Sequence, residues 1–182
     1  MRANPAMARR VRGYSIIELV TVVAILAIML GFGVPSFQEF VTNYRTSVQT
    51  NDLLADLAIA RSEAVKYSRP TVVRAEGGDW SAGWIVGTDL NRDGNIAGDE
   101  IVKRQGAAQE DFVIAAGVQG GAATPTITFG PTGSVSLPAG NAPIEFSICR
   151  PDLDVAKSRG ISLARSGRAE SRKVGDNVTV RC

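Results

Sequence analysis

The amino-terminal part of the chain carries an apolar run that is long enough to cross a membrane. Residues 16–34 form a 19-residue run with little polar interruption, and a helix of that length spans about 28 Å at 1.5 Å rise per residue. The run continues into Pro35 and a helical pattern instead of a small-residue cleavage site, so a secretory signal peptide is not indicated. We therefore predict one membrane-spanning helix that stays with the mature protein.

Beyond this run the apolar residues keep helical spacing in two stripes. The first contains Phe37, Phe40, Val41, Tyr44 and Val48, and the second contains Leu53, Leu57, Ala60, Ala64 and Tyr67. The five-residue step from Val48 to Leu53 shifts the apolar face. This shift fits a first half that faces other subunits and a second half that packs on its own sheet.

The two segments together predict a single, unusually long helix. It covers residues 15–68, about 80 Å, and ends there because Pro70 disfavours helical geometry in the residue before it. We predict a kink at Pro35, helped by two preceding glycines. A filament subunit, a transmembrane stalk or a coiled coil explains such a length, and no heptad repeat persists to favour the coiled coil.

From Thr71 onward, short β-type runs are separated by glycine and proline. These runs are residues 71–75, 83–88, 101–105, 112–116, 126–129, 134–137, 144–149, 160–164 and 177–181. Residues 129–134 predict a hairpin, with Gly133 free to take a positive φ. The expected fold class is α+β, with a mostly antiparallel sheet packed on the second half of the long helix.

Charge is segregated along the chain, although the formal net charge is only +2. Residues 1–13 hold four arginines and no acid, residues 14–149 hold eight basic against fourteen acidic side chains, and residues 150–182 hold eight basic against four acidic ones. The basic start predicts a cytoplasmic amino terminus, with the rest of the chain outside the membrane. The chain has no histidine and two cysteines, so the usual general base and most zinc ligand sets are missing and no enzyme is expected.

Glu18 is the one acid inside the apolar run. A carboxylate costs roughly 2.5–3.5 kcal/mol at mid-helix on insertion scales, and less near an end. One interpretation places Glu18 at the headgroup level, where the cost is small. The other supplies a partner: cleavage between Gly13 and Tyr14 would create an α-amino group one helical turn before Glu18, where opposite charges pair within or between subunits.

The segment GYSIIE, residues 13–18, lies between a short basic leader and an apolar helix, and it resembles the type III signal of prepilins. The resemblance implies that a prepilin peptidase cleaves between Gly13 and Tyr14 and N-methylates Tyr14. It also implies that Glu18 neutralises the amino terminus of a neighbouring subunit during filament assembly. Phenylalanine is the usual first residue in that family, so Tyr14 is a departure, and Pro35 lies where pilins commonly place a kinking proline.

Further segments resemble the GspH/FimT family of minor pilins and pseudopilins. They are ARSEA at 60–64, the Gly83-Trp84 strand before a turn rich in Asp, Asn and Gly, the 129–133 hairpin, and ISLARSGR at 161–168. The resemblance implies a low-abundance subunit near the filament tip that primes assembly of a type IV pilus or a type II secretion pseudopilus. Catalysis is not expected of it.

Residues 89–100 satisfy the calcium-loop formula D-x-[DN]-x-[DN]-G-x5-E. Oxygen ligands at alternating positions suit Ca²⁺, whereas the flanking runs look like strands and not the helices of an EF-hand. The alternative is a solvated turn, because the same residue types make hairpin loops. The candidate ligands are Asp89, Asn91, Asp93, Asn95 and Glu100.

Cys149 and Cys182 are the only thiols, in a region placed outside the cytoplasmic membrane, and we expect them to form a disulfide. Closing this loop would restrict the unfolded state by about 3–4 kcal/mol on the chain-entropy model. The alternative is two unpaired thiols.

The same carboxyl-terminal region is basic and raises the possibility of DNA binding. Competence-associated minor pilins bind DNA through a Gly-Arg-x-Arg element, whereas this chain has Gly167-Arg168-Ala169-Glu170. No aromatic residues interleave the cations, and nearby acids dilute the field. A solvated surface is the alternative, and the candidate DNA contacts are Arg165, Arg168, Arg172 and Lys173.

Together these patterns predict a leader at 1–13, a membrane half-helix at 14–35, an amphipathic half-helix at 36–69, and a β-rich periplasmic domain at 70–182. The predicted function is a minor pilin or pseudopilin that resides in the bacterial inner membrane and reaches the extracellular filament tip after assembly. Its expected partners are other pilin subunits, the prepilin peptidase and the membrane. A DNA-binding minor pilin and an anchored domain without a filament role are the alternatives. No cofactor is expected, with Ca²⁺ as the one alternative.

Overall fold

The computed structural model describes residues 13–109, 111–118, 123–136 and 142–173. The chain divides into two compact units, Met1–Val41 and Thr42–Cys182. Helix α1 runs from Ile16 to Tyr67 and contributes to both. Its bounds confirm the predicted long helix to within one residue at each end. Pro35 lies inside α1 and does not end it, and the kink at Pro35 stays a prediction.

The first unit consists, as far as it is described, of the amino-terminal part of α1. Residues 13–40 are all exposed, including large apolar side chains such as Ile16 at 84% and Phe32 at 79%. By length and composition this helix could cross a membrane. An apolar helix without a buried face requires an apolar environment from outside the molecule.

The second unit places the remaining part of α1 against β-structure. Leu53, Leu57, Ala60 and Ala64 are at most 1% exposed, because their spacing of three to four residues puts them on one helical face. The second stripe is therefore confirmed except at its end. Tyr67 is 45% exposed because it is the last residue of α1, and its ring packs under the ammonium of Lys66 at 4.5 Å.

Eight strands follow α1 in the described residues. They are β1 (Thr71–Glu76), β2 (Asp79–Thr88), β3 (Ile101–Gln105), β4 (Val113–Val118), β5 (Thr126–Phe129), β6 (Ile144–Cys149), β7 (Arg159–Leu163) and β8 (Ala169–Lys173). They form two four-stranded sheets with the orders β3-β2-β1-β5 and β4-β6-β7-β8. Every pair of neighbouring strands is antiparallel, so the predicted α+β class is confirmed, with two sheets where one was expected.

The core lies where α1 meets the two sheets. Its largest fully buried side chains are Trp84, Phe129 and Phe146. Trp80 packs edge-on against Phe146, with ring centroids 5.1 Å apart. Aromatic packing of this kind adds about 0.5–1.5 kcal/mol per pair beyond area burial, so the aromatic cluster joins the two sheets into one core.

One predicted strand is reduced to a single bridge and one was missed. Residues 134–137 were expected to form a strand, but in the described part of this run, residues 134–136, Val135 forms an isolated antiparallel bridge with Phe129. The amides of Gly130 and Ser136 donate to the carbonyls of Ser134 and Thr128 around this bridge, and the amide of Val135 donates to the carbonyl of Arg165. Strand β8 was missed because its polar sequence has no alternation of apolar residues. The predicted run at 177–181 lies outside the described residues.

Two glycine turns meet beside α1. Gly133 has φ +75°, as predicted for the hairpin, and Gly167 in the β7–β8 turn has the same φ. A methyl group added at Gly167 would overlap the backbone oxygen of Gly133. Glycine is therefore required at position 167 both by the backbone conformation and by the close approach of the two turns.

Candidate assembly site

The amino-terminal turn of α1 presents Glu18 on an open apolar surface. The amide of Leu19 donates to the carbonyl of Ser15 at 3.2 Å, which closes the first helical turn. Tyr14, Glu18, Leu19 and Val22 line a shallow depression of about 260 Å³. The spacing of these residues places them on one face, with Glu18 as its only charge.

Glu18 forms no ion pair or side-chain hydrogen bond with any of the described residues. It lies in the first turn of α1, where the positive end of the helix dipole favours a negative charge. The carboxylate is exposed and therefore accessible to a cation from another molecule. An α-amino group on Tyr14 would lie one helical turn before it.

A buried ion pair, which sequence reasoning missed, fixes α1 to the first sheet. Asp56 on α1 is fully buried. Its Oδ1 accepts from Lys103 Nζ on β3 at 2.6 Å, and its Oδ2 accepts from Trp84 Nε1 on β2 at 2.9 Å. Both oxygens are therefore satisfied, as a buried carboxylate requires. The only sequence signal was an acid on the apolar face of the second stripe.

A second clamp links α1 to the loop between β6 and β7. Arg150 is 3% exposed. It donates to the two carboxylate oxygens of Asp152 at 3.0 and 2.7 Å and to Asn43 Oδ1 on α1 at 2.6 Å. These hydrogen bonds from Arg150 lower the pKa of Asp152. Arg150, counted in the sequence among the basic residues of the tail, is thus an internal brace.

The predicted calcium loop forms a turn in which side-chain oxygens accept hydrogen bonds from backbone amides of the same loop. Asp89 accepts from the amides of Arg92 and Gly94 at 2.7 and 3.1 Å. Asn91 Oδ1 accepts from the amide of Asp93 at 2.8 Å, and Asp93 Oδ1 accepts from the amide of Asn95 at 2.7 Å. Such contacts are typical of Asx turns.

Glu100, the last predicted calcium ligand, is also engaged with backbone. It is 5% exposed, and its Oε1 accepts from the amides of Leu90 and Asn91 at 2.9 and 3.1 Å. Within the described ranges, no three acidic or cysteine side chains are close enough together to hold a metal ion. The calcium site stays a prediction, and the observed contacts suit a closed turn.

The predicted DNA contacts lie on β8 and the turn before it. Arg168 and Arg172 are exposed, but both reach the carboxylate of Glu170, at 2.7 Å and 3.6 Å respectively. The acid that replaces the second arginine of the Gly-Arg-x-Arg element therefore neutralises part of this surface. Arg165 and Lys173 are exposed beside it.

Cys149 ends β6 and is fully buried. Its predicted partner, Cys182, lies outside the described residues. Burial at the end of a strand is compatible with a disulfide, and the pairing stays a prediction.

A long exposed apolar helix, an acid in its first turn and two antiparallel sheets are the features of a pilin-like fold. A family model described as "Type II transport protein GspH" matches residues 49–167, well over half of the chain. The chain belongs to this family of minor pilins and pseudopilins.

Solved structures share this fold. The type IV minor pilin FimU of Pseudomonas aeruginosa is 22% identical, with a TM-score of 0.58 over 73% of this chain and 92% of FimU. The minor pseudopilin EpsH of the Vibrio cholerae type II secretion system is 13% identical, with a TM-score of 0.56 over 74% of this chain and 98% of EpsH. No curated sequence matches the chain.

Proposed function

We propose that this chain is a minor pilin or pseudopilin that enters a filament from the membrane and primes its assembly. The observation that carries the proposal is Glu18, an acid without an ion-pair partner among the described residues on an otherwise apolar, fully exposed helical surface. Burying a carboxylate in a bundle of apolar helices is costly unless a cation forms an ion pair with it. The amino terminus of a neighbouring subunit is the cation that this helix geometry supplies.

Two further features support the proposal. The arginines at positions 2, 9, 10 and 12 precede the apolar helix without an acid, which favours a cytoplasmic amino terminus and a head on the outer side. The solved structures with a similar fold include both a pilus subunit and a secretion pseudopilin. The proposed function therefore covers both kinds of filament.

Processing at the amino terminus provides the first test. We expect the full chain, extracted from the membrane of cells with a prepilin peptidase, to begin at N-methylated Tyr14. Intact mass and sequencing of the amino-terminal peptide measure this directly. In cells that lack the peptidase, the leader and its four arginines should remain. Retention of the leader in the presence of the peptidase would contradict the proposal and favour an anchored domain without a filament role.

DNA binding is the alternative, and the Glu170 contacts argue against it. We expect duplex DNA to bind weakly, and alanine at Arg165, Arg168 and Arg172 to change the affinity by less than about twofold, because Glu170 offsets the local charge and phosphate contacts supply most non-specific affinity. Gel shifts at two salt concentrations measure this, with Arg92→Ala as a matched loss of an exposed cation elsewhere. Salt-sensitive binding that falls about tenfold or more only in the triple variant would favour the DNA-binding alternative.

A further inference from the structure

The loop between β6 and β7 carries an exposed apolar tip. Its exposed apolar residues are Pro151, Leu153, Val155 and Ala156. We call these four residues the apolar tip. Leu153 is 60% exposed, and among the described residues of the second unit only Tyr44, at 64%, is a more exposed large apolar side chain.

A hydrogen bond brings the loop to the part of α1 that carries Tyr44. The buried guanidinium of Arg150, at the start of the loop, donates to Asn43 Oδ1 at 2.6 Å, and Asn43 directly precedes Tyr44. The amide of Leu153 donates to the carbonyl of Arg150 at 3.0 Å, so the apolar tip begins beside this clamp. The two most exposed large apolar side chains of the second unit therefore belong to neighbouring segments.

The loop holds Leu153 in a strained conformation. Its φ of +54° is left-handed and unfavourable for a leucine. The surrounding structure enforces it, because Arg150 fixes the preceding residue, Asp152, with hydrogen bonds of 3.0 and 2.7 Å. Strain that is maintained at an exposed apolar residue fits a contact with another surface.

The charges of the loop are balanced within it. Asp152 pairs with Arg150 at 2.7 Å and Asp154 with Lys157 at 3.5 Å, so the loop has two acids and two cations. A charged partner is therefore not favoured by this surface. An apolar environment is favoured, because no unmatched charge of the loop has to be desolvated when the tip enters it.

The membrane is the apolar environment that α1 keeps close to the tip. Nine residues separate Val34, the last residue of the apolar run, from Asn43, a helical distance of about 13 Å. The headgroup layer covers about 5–8 Å of this distance on each side of the hydrocarbon core. Phe37 and Phe40, exposed at 67% and 64%, continue the apolar surface of α1 past Val34 to within one helical turn of Asn43.

Tyr44 marks the same level of the helix. A tyrosine combines an apolar ring with a polar hydroxyl and is enriched where a membrane meets water. Tyr44 follows the exposed Phe37 and Phe40 at helical spacing, which is the position of an interfacial anchor at the end of an apolar span. Because Arg150 holds the loop at Asn43, the apolar tip lies at this level as well.

We propose that, before assembly, the apolar tip inserts into the headgroup layer of the membrane that α1 spans and holds the second unit on the lipid surface. The tip and Tyr44 form two neighbouring points of contact with the lipid. The inference goes beyond the proposed function, because it concerns the chain while it resides in the membrane and does not require a filament.

The test uses the full chain, with labelled leucine and valine methyl groups, in nanodiscs of phosphatidylethanolamine and phosphatidylglycerol. A lipid with a nitroxide on the outer part of its acyl chain weakens the NMR signals of methyl groups that approach it. We expect the signals of Leu153 and Val155 to lose most of their intensity when this lipid is added.

Leu90 is the matched control within the same sample. It is also an exposed loop leucine, at 41%, but the neighbouring amide of Asp89 donates to the carbonyl of Pro70. Pro70 follows the end of α1 at Tyr67, about 36 Å further along the helix than Asn43. The Leu90 signals should therefore keep their intensity.

The variant Leu153→Asn separates insertion from proximity to the membrane. Asparagine tolerates a positive φ better than leucine, so the thermal unfolding midpoint of the full chain should be unchanged or raised. Loss of the apolar area of the leucine should lower the inserted population by about tenfold, and the Val155 signal should recover. Leu90→Asn should leave the Val155 signal weakened as in the unmodified chain.

Two results would overturn the inference. One is full intensity at Leu153 and Val155 beside the nitroxide lipid, and protection of the loop from hydrogen exchange in isolated filaments would then assign the tip to a neighbouring subunit. The other is a signal loss at Val155 that persists in Leu153→Asn, which would show proximity without insertion. The proposed function fails in a different measurement: lipid contact by a chain that never enters filaments would leave this inference standing and remove the proposed function.

Discussion

Glu18→Val is expected to abolish incorporation of the chain into filaments while leaving its membrane insertion intact. Removing one partner of a desolvated charge pair costs about 2–5 kcal/mol, which corresponds to roughly 30-fold or more in incorporation. Valine is more favourable than glutamate in an apolar span, so the loss cannot arise from poor insertion. The cost falls on the neighbouring amine, which is left charged and unpaired among apolar helices.

The measurement compares the amount of variant in sheared or detergent-extracted filaments with the amount in the membrane fraction. Glu18→Gln removes the charge and keeps nearly the same side-chain shape. This variant should also be lost from the filaments. Glu39→Gln is the matched control, because Glu39 is an exposed acid on the same helix. We expect the Glu39→Gln variant to be incorporated into filaments normally. Normal incorporation of both Glu18 variants would remove the basis of the proposed function.

The second large effect concerns stability of the head. Lys103→Met leaves the carboxylate of Asp56 buried with Trp84 as its remaining partner. Breaking a buried pair costs about 3–5 kcal/mol, and since the Lys103 side chain is 37% exposed, solvent screening reduces the expected loss to roughly 2–3 kcal/mol. The midpoint of chemical or thermal unfolding should therefore be clearly lower for Lys103→Met than for the unmodified chain.

Chemical or thermal unfolding of the full chain in detergent measures this loss through the β-sheet signal. Lys66→Met removes a surface pair with Glu63 and should leave the midpoint unchanged. The double variant Asp56→Leu with Lys103→Met should recover part of the stability, because an apolar pair no longer buries an unmatched charge. A midpoint for Lys103→Met equal to that of Lys66→Met would show that the buried pair does not fix α1 to the sheet.

Elements with a local signal were predictable from the sequence. The long helix followed from apolar spacing and Pro70, and strands such as β2 and β6 followed from β-branched and aromatic runs between turn residues. The positive φ of Gly133 followed from its place in a predicted hairpin. In each case the pattern of neighbouring residues alone determines the preferred backbone.

Contacts between distant residues were not predictable. Asp56 and Lys103 are 47 positions apart and Asn43 and Arg150 are 107 apart, so only the folded chain shows that each pair meets. Strand β8 is held by its neighbour β7 and not by its own polar sequence. The same limit applies to the assembly site, where the sequence supplies Glu18 but its predicted partner belongs to another molecule.

The central claim is that the amino terminus of one subunit meets Glu18 of its neighbour. Carbodiimide treatment of assembled filaments joins carboxylates directly to amines that contact them, and an N-methylated amine still forms the amide. We expect mass spectrometry to find a peptide in which the Glu18 carboxyl is bonded to the amino-terminal amine of a neighbouring filament subunit. Recovery of the Glu18 peptide without this bond, in a sample where other contacting amines and carboxylates have coupled, would contradict the account.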